Sequence, residues 1–387
     1  MSDPEIVLLG AGHTHAHVLR EWGARPIAGA GLTCISDFPE AAYSGMLPGT
    51  LAGLYAPERM RIDLRRLCGA AGARLVVGET TGIDLALKQV LLAGQPPVPF
   101  DVLSIGIGSV PDLSGVEISG DALTPIKPMQ TLLERFDRKV EALRANGRPG
   151  PDARGRGGDA VRPLRVAVVG GGAGGVEIAF CVLPRLHRLL GPDPFKLTLV
   201  EAQDRLLPGM PARTAGMAEH LLRDRGVTVL LGRTVSAVRG PLLGLGNGEQ
   251  RTVDLVLWAI GARGPDLLRT VDLPKDGRGF LLTRPTLQTT ASAPVFVVGD
   301  SGTLADGPAP KAGVHAVRQG PVLWENLGRF VRGETLRDYA PQRDFLRLLA
   351  TGDRRAILVY RGMTLSGRWC WRLKNFIDGR FVRKYQA

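Results

Sequence analysis

Glycines at fixed spacing, between a short apolar run and a helix-forming segment, are the residues of this 387-residue sequence best suited to binding chemistry. Over 165–179 the apolar run ends at Gly170, Gly172 and Gly175, in the pattern G-x-G-x-x-G. The first glycine permits a tight turn, the second lets a pyrophosphate approach the backbone, and the third lets helix and strand pack closely. Phosphates would lie at the helix N-terminus, where free N–H groups and the helix dipole favour negative charge. The pattern predicts a dinucleotide site.

An acidic residue follows this motif where a nucleotide ribose would need it. A second strand is predicted over 196–200 and ends in Glu201, close to the offset at which such an acid binds the ribose. Its carboxylate would accept hydrogen bonds from the two ribose hydroxyls and would repel a 2′-phosphate, so the sequence favours NADH over NADPH. A later strand over 252–260 leads to Gly261, and this glycine turn closes the unit.

The start of the chain repeats the motif in altered form. An apolar strand leads to Gly10 and Gly12, but His15 occupies the position of the third glycine. We expect His13 and His15 to border a second phosphate-binding turn. His13 and His17 are also spaced i, i+4, yet no cysteine or carboxylate stands nearby to complete a metal site, so none is predicted.

The second strand of this first unit, over 32–35, ends in Ser36 and Asp37. The acid is displaced by one position from its usual place, so either residue can touch the adenosine ribose. A further strand leads into a glycine turn at Gly106, where the backbone can pass close to a bound cofactor. The sequence therefore contains two dinucleotide-binding units in series.

Two later segments add candidate residues. The segment 43–49, which contains Ser44 and Pro48, has too little periodicity for a helix and is either a surface loop or a loop along a cofactor ring. A buried strand ends in Asp300, whose carboxylate can bind the ribityl or pyrophosphate region of FAD. Shortly after it, a helix is predicted over 314–330, and its N-terminus could face the N1/O2 edge of a flavin.

This arrangement resembles the two-dinucleotide-fold flavoproteins of the glutathione reductase type, and within them the type II NADH dehydrogenases and sulfide:quinone oxidoreductases. It is most similar to the NADH-dehydrogenase-like module that is fused to selenophosphate synthase in some bacteria. The resemblance covers essentially the full chain and rests on six segments: 10–17, 43–49, 170–177, 299–300, 310–313 and 369–385. It implies an α/β fold with two Rossmann-like dinucleotide-binding domains, of which the FAD domain is discontinuous, and a short amphipathic C-terminal helical region. The implied segments are 1–125 and 285–330 for FAD, 126–284 for NADH, and 331–387 for the C-terminal region.

The resemblance also implies which residues bind each cofactor. Those expected at FAD are Gly10, Gly12, His13, His15, Ser36, Asp37, Ser44, Pro48, Gly106, Asp300 and Lys311, the last near N1/O2. Those expected at NADH are Gly170, Gly172, Gly175, Glu177, Glu201 and Gly261. Glu177 matches a family glutamate beside the nicotinamide, and the alternative is an acid that only stabilises the first turn of its helix. Glu177, Lys311 and Gln319 are the implied catalytic residues.

The identity of the electron acceptor depends on a separate pattern in the sequence. Type II NADH dehydrogenases carry the quinone-site pattern A-Q-x-A-x-Q-Q, and the matching stretch 313–319 keeps only Gln319, with Arg318 in place of the other glutamine. The paired cysteines of the sulfide:quinone enzymes have no counterpart, so sulfide oxidation is not expected. The predicted function is hydride transfer from NADH to the flavin N5, followed by transfer of two electrons to an acceptor, with quinone favoured. The alternative is a low-turnover flavin-binding partner or sensor module associated with selenium metabolism.

Composition restricts the location of the protein. The sequence shows no secretory signal and no apolar run long enough to span a membrane. Its four cysteines are scattered, which favours a reducing compartment, so a cytoplasmic protein is predicted. The formal charge of +12 and the basic segment 145–163, predicted to be a flexible loop, raise the question of nucleic acid, but no nucleic-acid-binding signature is present and none is expected to bind.

The C-terminal segment predicts an amphipathic helix. Its apolar stripe lies among arginines and lysines and consists of Trp369, Leu373, Phe376, Ile377 and Phe381. A basic amphipathic helix with interfacial tryptophan can lie on an anionic membrane surface, here the inner face of the cell membrane. The same stripe could instead pack on its own protein or form a homodimer seam.

Overall fold

The computed structural model describes residues 3–146, 161–291 and 294–386. Most of the predicted loop at 145–163 lies outside these residues. The helices are α1 (His13–Ala24), α2 (Leu47–Leu51), α3 (Leu64–Ala71), α4 (Leu132–Ala145), α5 (Ala173–Leu190), α6 (Ala212–Asp224), α7 (Asp266–Thr270), α8 (Gly313–Val331) and α9 (Arg368–Arg383). Short 3₁₀ turns lie at Ser44–Met46, Pro57–Met60, Met129–Thr131 and Gly299–Ser301.

The strands, in chain order, are short, and most are buried on one or both faces. They are β1 (Glu5–Leu9), β2 (Gly31–Ser36), β3 (Glu40–Ala42), β4 (Arg61–Asp63), β5 (Arg74–Val77), β6 (Thr80–Asp84), β7 (Gln89–Leu92), β8 (Gln95–Pro99), β9 (Val102–Ile105), β10 (Glu117–Ser119), β11 (Leu123–Pro125), β12 (Leu164–Val169), β13 (Phe195–Val200), β14 (Thr228–Leu230), β15 (Val235–Arg239), β16 (Leu242–Leu245), β17 (Gln250–Thr252), β18 (Leu255–Trp258), β19 (Leu281–Thr283), β20 (Val295–Val297), β21 (Gly302–Leu304), β22 (Arg347–Ala350), β23 (Ala356–Tyr360) and β24 (Met363–Gly367).

Two five-stranded parallel sheets dominate the fold. The first has the order β5-β2-β1-β9-β20 and the second the order β14-β13-β12-β18-β11. Their central strands β1 and β12 are apolar on both faces, which parallel sheets covered by helices require. Each central strand feeds directly into a helix, α1 or α5, through a glycine turn. This confirms the predicted α/β class with two Rossmann-like units.

Two separate parts of the chain contribute strands to the first sheet. Strand β20 returns from beyond the second unit and pairs with β9 in parallel register. Strands β10 and β11 lie within the predicted first segment 1–125, yet they pair with β15 and β18 of the second unit. The chain therefore begins to contribute strands to the second unit before residue 126, where the predicted first segment ends.

The segment 43–49 does not form the irregular loop that its weak periodicity predicts. It folds into the 3₁₀ turn at 44–46 followed by α2. Pro48 is tolerated because it lies in the first turn of α2, where its missing N–H has no partner to lose. Met46, Leu47 and Leu51 are buried in the main core, so packing supplies what local propensity lacks.

The C-terminal region contains a sheet that the sequence did not predict. Strands β22, β23 and β24 form an antiparallel sheet, and α9 packs against all three strands. Among the described helices, none is long and apolar enough to cross a lipid bilayer.

Candidate active site

In the glycine turn after β12, two glycines pack against backbone atoms of the protein and the middle glycine faces open space. A Cβ atom at Gly170, where φ is +113°, would lie 2.9 Å from the carbonyl oxygen of Ala259. A Cβ atom at Gly175 would lie 1.8 Å from the carbonyl oxygen of Gly170, so helix and turn touch backbone to backbone. At Gly172 a Cβ atom would meet no other atom within 4 Å. Helix α5 begins beside Gly172 without a side-chain cap, which leaves its first N–H groups free for an anion.

Glu201 lies at the carboxyl end of β13, next to this turn. Its carboxylate accepts hydrogen bonds from the backbone N–H of Gly171 and, at 2.8 Å, from that of Gln203. The side chain is thereby fixed at the position where an adenosine ribose would lie in this fold. Gly261, at a positive φ of +56°, follows β18 and is exposed at the same end of the sheet. These are the places that the glycine motif predicts for the NADH residues.

The turn after β1 has the same construction. A Cβ atom at Gly10 would lie 2.6 Å from the carbonyl oxygen of Gly106, which brings the turns after β1 and β9 into contact. Helix α1 follows Gly12 without a side-chain cap, as α5 follows Gly172. Ser36 and Asp37 lie at the carboxyl end of β2, with Ser36 half-buried and Asp37 exposed. Both turns therefore fit a dinucleotide pyrophosphate.

His15, at the third glycine position, lies beneath this turn. Its ring is fully buried, with Nδ1 2.5 Å from the carbonyl oxygen of Gly10 and Nε2 2.8 Å from Oγ of Ser104. The space that a third glycine would leave open is thus filled by an imidazole whose two nitrogens both have protein partners. Burial lowers the pKa of His15 to about 4, so the ring is neutral. The structure places His15 as a support of the turn.

His13 is half-buried, and desolvation of its ring lowers its pKa to about 4 as well. Its ring lies 5.2 Å from that of Tyr43 and 5.6 Å from that of Phe381 in α9. A Cβ atom at Gly313, the first residue of α8, would have Nε2 of His13 at 3.9 Å and Oγ of Ser44 at 3.7 Å. The turn after β1, the segment 43–49 and the start of α8 therefore meet at one place.

Asp300 is held by two residues that sequence reasoning missed. Ser109 donates its hydroxyl hydrogen bond to Oδ2 of Asp300 at 2.9 Å, and Nζ of Lys127 lies 3.4 Å from the same oxygen. Lys127 follows β11 of the second sheet, whereas Asp300 follows β20 of the first. The ion pair therefore joins the two units beside the predicted ribityl position. A lysine before a proline in a loop gives no sequence signal for this contact.

Lys311 and Gln319 lie on either side of the start of α8. Nζ of Lys311 donates to the carbonyl oxygen of Gly302 and, at 2.9 Å, to the hydroxyl of Thr303, and lies 4.0 Å from the ring centre of Phe280. Burial lowers the pKa of Lys311 to about 8. Oε1 of Gln319 accepts a hydrogen bond from the backbone N–H of Gly299 at 2.6 Å, which anchors α8 to the turn after β20.

A buried charged cluster lies between α5, α9 and the segment 43–49, and we define it as Tyr43, Glu177, Lys374 and Asp378. Nζ of Lys374 lies 3.1 Å from Oδ2 of Asp378 and donates to the carbonyl oxygen of Gly45 at 2.9 Å. The hydroxyl of Tyr43 donates to Oδ1 of Asp378 at 3.1 Å. Burial raises the pKa of Glu177 and of Asp378, and Lys374 opposes the rise in both. Burial alone would lower the pKa of Lys374, but the two carboxylates raise it.

The sequence treated Lys374 as part of the polar surface of the C-terminal helix, and this was wrong. The side chain is 7% exposed and lies in the charged cluster, because the carboxylates of Glu177 and Asp378 compensate its charge. Glu177 also accepts a hydrogen bond from the backbone N–H of Ala350 at 2.7 Å, so it does more than stabilise a helix end. No local pattern indicates that residues 177 and 374 interact electrostatically.

The outer face of α9 exposes large apolar side chains. Trp369 is 50% exposed, Phe376 58% and Ile377 39%, while Met363 and Leu365 of the neighbouring β24 are exposed as well. The five residues of the predicted apolar stripe therefore do not share one environment. Leu373 and Phe381 are half-buried, with Phe381 stacked on Tyr43, and the other three members face outward.

The sequence profile of the pyridine nucleotide-disulphide oxidoreductase family matches residues 4–320 of this chain. The chain belongs to this family. It is 26% identical over 393 residues to the type II NADH:quinone oxidoreductase of Staphylococcus aureus, covering 98% of this chain and 95% of the relative. It is 27% identical over 316 residues to the demethylphylloquinone reductase NdbB of Synechocystis, covering 78% and 72%.

Solved structures agree on the fold. The sulfide:quinone oxidoreductase of Aquifex aeolicus is similar with a TM-score of 0.78 at 18% identity, over 99% of this chain and 91% of that one. These similarities confirm the predicted oxidoreductase family and the predicted resemblance to the type II NADH dehydrogenases. The individual cofactor and catalytic residues stay predictions.

Proposed function

We propose that this oxidoreductase binds FAD at the first glycine turn and NADH at the second, and passes two electrons from NADH to a quinone. The observation that carries the proposal is the pair of glycine turns, each followed by an uncapped helix. A Cβ atom at the middle glycine would meet no atom within 4 Å at Gly172, and at Gly12 only the carbonyl oxygen of Gly106 at 3.4 Å. Relatives with names that include NADH and quinone support the choice of donor and acceptor. Bound FAD would supply the hydride and two-electron chemistry.

In this proposal the residues of the chain bind, orient and balance charge. Glu201 receives the ribose of NADH, and Asp300, fixed by Ser109 and Lys127, receives the ribityl chain of FAD. The charged cluster lies where α5 leaves the NADH turn and contacts the segment 43–49. There Glu177 orients the nicotinamide, and the positive charge of Lys374 opposes the rise in the pKa of Glu177 that burial causes.

An anaerobic titration of the purified protein tests the function. We expect NADH to bleach the visible flavin band with one equivalent per flavin, and a soluble quinone to restore it. Glu201→Gln should raise the NADH concentration at which the rate of bleaching is half-maximal about tenfold or more, because a buried carboxylate that binds two hydroxyls contributes on the order of 1.5–3 kcal/mol per charged hydrogen bond. Glu141→Gln, at an exposed acid of α4, is the control and should leave the titration unchanged. A protein with bound FAD that NADH does not bleach would contradict the proposal.

The outer face of α9 extends the proposal to a membrane surface. We propose that Trp369, Phe376 and Ile377 enter the interface of an anionic bilayer while Arg372 and Arg380, both exposed, approach its headgroups. Flotation with vesicles that contain phosphatidylglycerol should recover the wild-type protein and lose the Trp369→Ser/Phe376→Ser variant. A protein that dimerises through this face and ignores vesicles would overturn the proposal.

A further inference from the structure

His315, in the first turn of α8, is buried but not fully bonded. Its exposed fraction is 6%, and Nδ1 lies 3.0 Å from the hydroxyl of Tyr339. Nε2 is buried and has no hydrogen-bond partner among the described residues. Nε2 of His13 is also without a partner, whereas His15 has partners on both ring nitrogens. Buried polar atoms are rarely left without a partner, so the free nitrogen of His315 needs an explanation.

A polar cavity lies beside this ring. It has a volume of about 30 Å³, and Asp300, Lys311, Gln319 and Tyr339 line it together with His315. A polar cavity of this size holds one or two water molecules. Because Asp300 and Lys311 are also the predicted FAD contacts, the cavity connects His315 to the predicted flavin edge.

Tyr339 is a partner that tolerates either charge state of the ring. A tyrosine hydroxyl donates to a neutral Nδ1 and accepts from a protonated one. Burial lowers the pKa of His315, so the ring is neutral at rest. The titratable or charged groups that face it from the surrounding elements are Asp300, Lys311, Arg318, Tyr339 and Arg347. The arginines favour the neutral ring and Asp300 favours the charged one, so added negative charge beside the cavity would shift the balance toward protonation.

We propose that His315, held by Tyr339, takes up a proton when the adjoining FAD site gains negative charge on reduction. The balance of the reaction requires such a proton. NADH gives up a hydride, which is one hydrogen nucleus with two electrons, and reduction of a quinone to the hydroquinone consumes two electrons and two protons. One proton therefore comes from the solvent, and His315 stores it next to the flavin edge. This inference rests on the proposed function, because it requires FAD in the first unit.

A potentiometric titration of the FAD-loaded protein tests the inference without NADH or quinone. The slope of the midpoint potential against pH gives the number of protons taken up per two electrons. Reduction of a flavin to its anionic form consumes one proton, and the spectrum of the reduced protein shows whether that form is present. In the pH range where it is, we expect two protons for the wild type and one for His315→Gln. His220→Gln, at an exposed histidine of α6, is the control and should keep two.

A second variant keeps the test informative if His315→Gln folds poorly. Tyr339→Phe retains the ring but removes the acceptor for Nδ1–H, so the second proton should be taken up only at lower pH. One proton in the wild type, or two in His315→Gln with the anionic spectrum retained, would overturn the inference. A purified protein that binds no FAD would instead refute the proposed function, so the two failures are distinguishable.

Discussion

Replacing Lys374 by methionine would test the charged cluster most directly. Methionine is close to lysine in volume, so the change removes the ammonium group and leaves the packing nearly intact. It leaves Asp378 and Glu177 without their counter-charge and the carbonyl oxygen of Gly45 without its donor. The perturbation is therefore electrostatic.

The magnitude follows from the burial of the pair. The side chains of Lys374 and Asp378 are each 7% exposed, and breaking one partner of a buried pair costs about 3–5 kcal/mol because the other charge stays uncompensated. The matched control is Arg329→Met, which breaks the exposed Arg329–Glu325 pair, with side chains 35% and 33% exposed. Exposed pairs of this spacing contribute about 0.3–0.5 kcal/mol. The two variants should differ about tenfold in lost free energy of unfolding.

The pH dependence identifies the cause. Burial already raises the pKa of Glu177 and Asp378 in the folded protein, and removing the lysine raises it further. A carboxyl group with a raised folded-state pKa binds protons more readily when folded, so its penalty is present at neutral pH and shrinks as the pH falls toward that pKa. Urea unfolding at about pH 7.5 and pH 5 should therefore show a larger loss at the higher pH. A loss below about 1 kcal/mol, or an equal loss at both pH values, would refute this account of the cluster.

Three further outcomes follow from the glycine turns and the buried histidines. Gly175→Ala, whose Cβ would lie 1.8 Å from a backbone oxygen, should abolish NADH binding in calorimetry while FAD is retained; Gly174→Ala, which meets nothing within 4 Å, should bind normally and raise the stability of the helix by up to about 1 kcal/mol. Glu201→Ala should reduce the preference for NADH over NADPH, measured as the ratio of kcat/KM. Because burial lowers the pKa of His13 and His15 to about 4, the unfolded chain binds more protons than the folded chain between pH 6.5 and 4. Each histidine should therefore lower the free energy of unfolding by about 1.4 kcal/mol for every unit by which the pH falls in that range. Unfolding midpoints that do not fall across this range would contradict the last expectation.

The glycine turns could be predicted because their physical cause is local. Gly175 is required by its close approach to the backbone of Gly170, and the strand, turn and helix that contain both glycines are adjacent in sequence. The residues that complete the site arrive from far away in the chain. Lys127 lies close to Asp300, and Lys374 interacts electrostatically with Glu177, because the fold brings distant segments together, and neither spacing has a periodic signature. The selenium-associated alternative stays a prediction, because neither fold nor turns bear on it.

The C-terminal helix shows why a stripe of apolar residues does not by itself give the buried face. The sequence predicted an apolar stripe surrounded by polar basic residues, but α9 buries Lys374 and Asp378 and exposes Trp369 and Phe376. A buried charge is stable only where other elements supply its partners, and those partners are a helix of the second unit and a turn of the first. The charged face is therefore specific for this one docking position, since elsewhere on the surface it would bury charges without compensation. The apolar face has no such requirement, so it is free to contact a surface outside the chain.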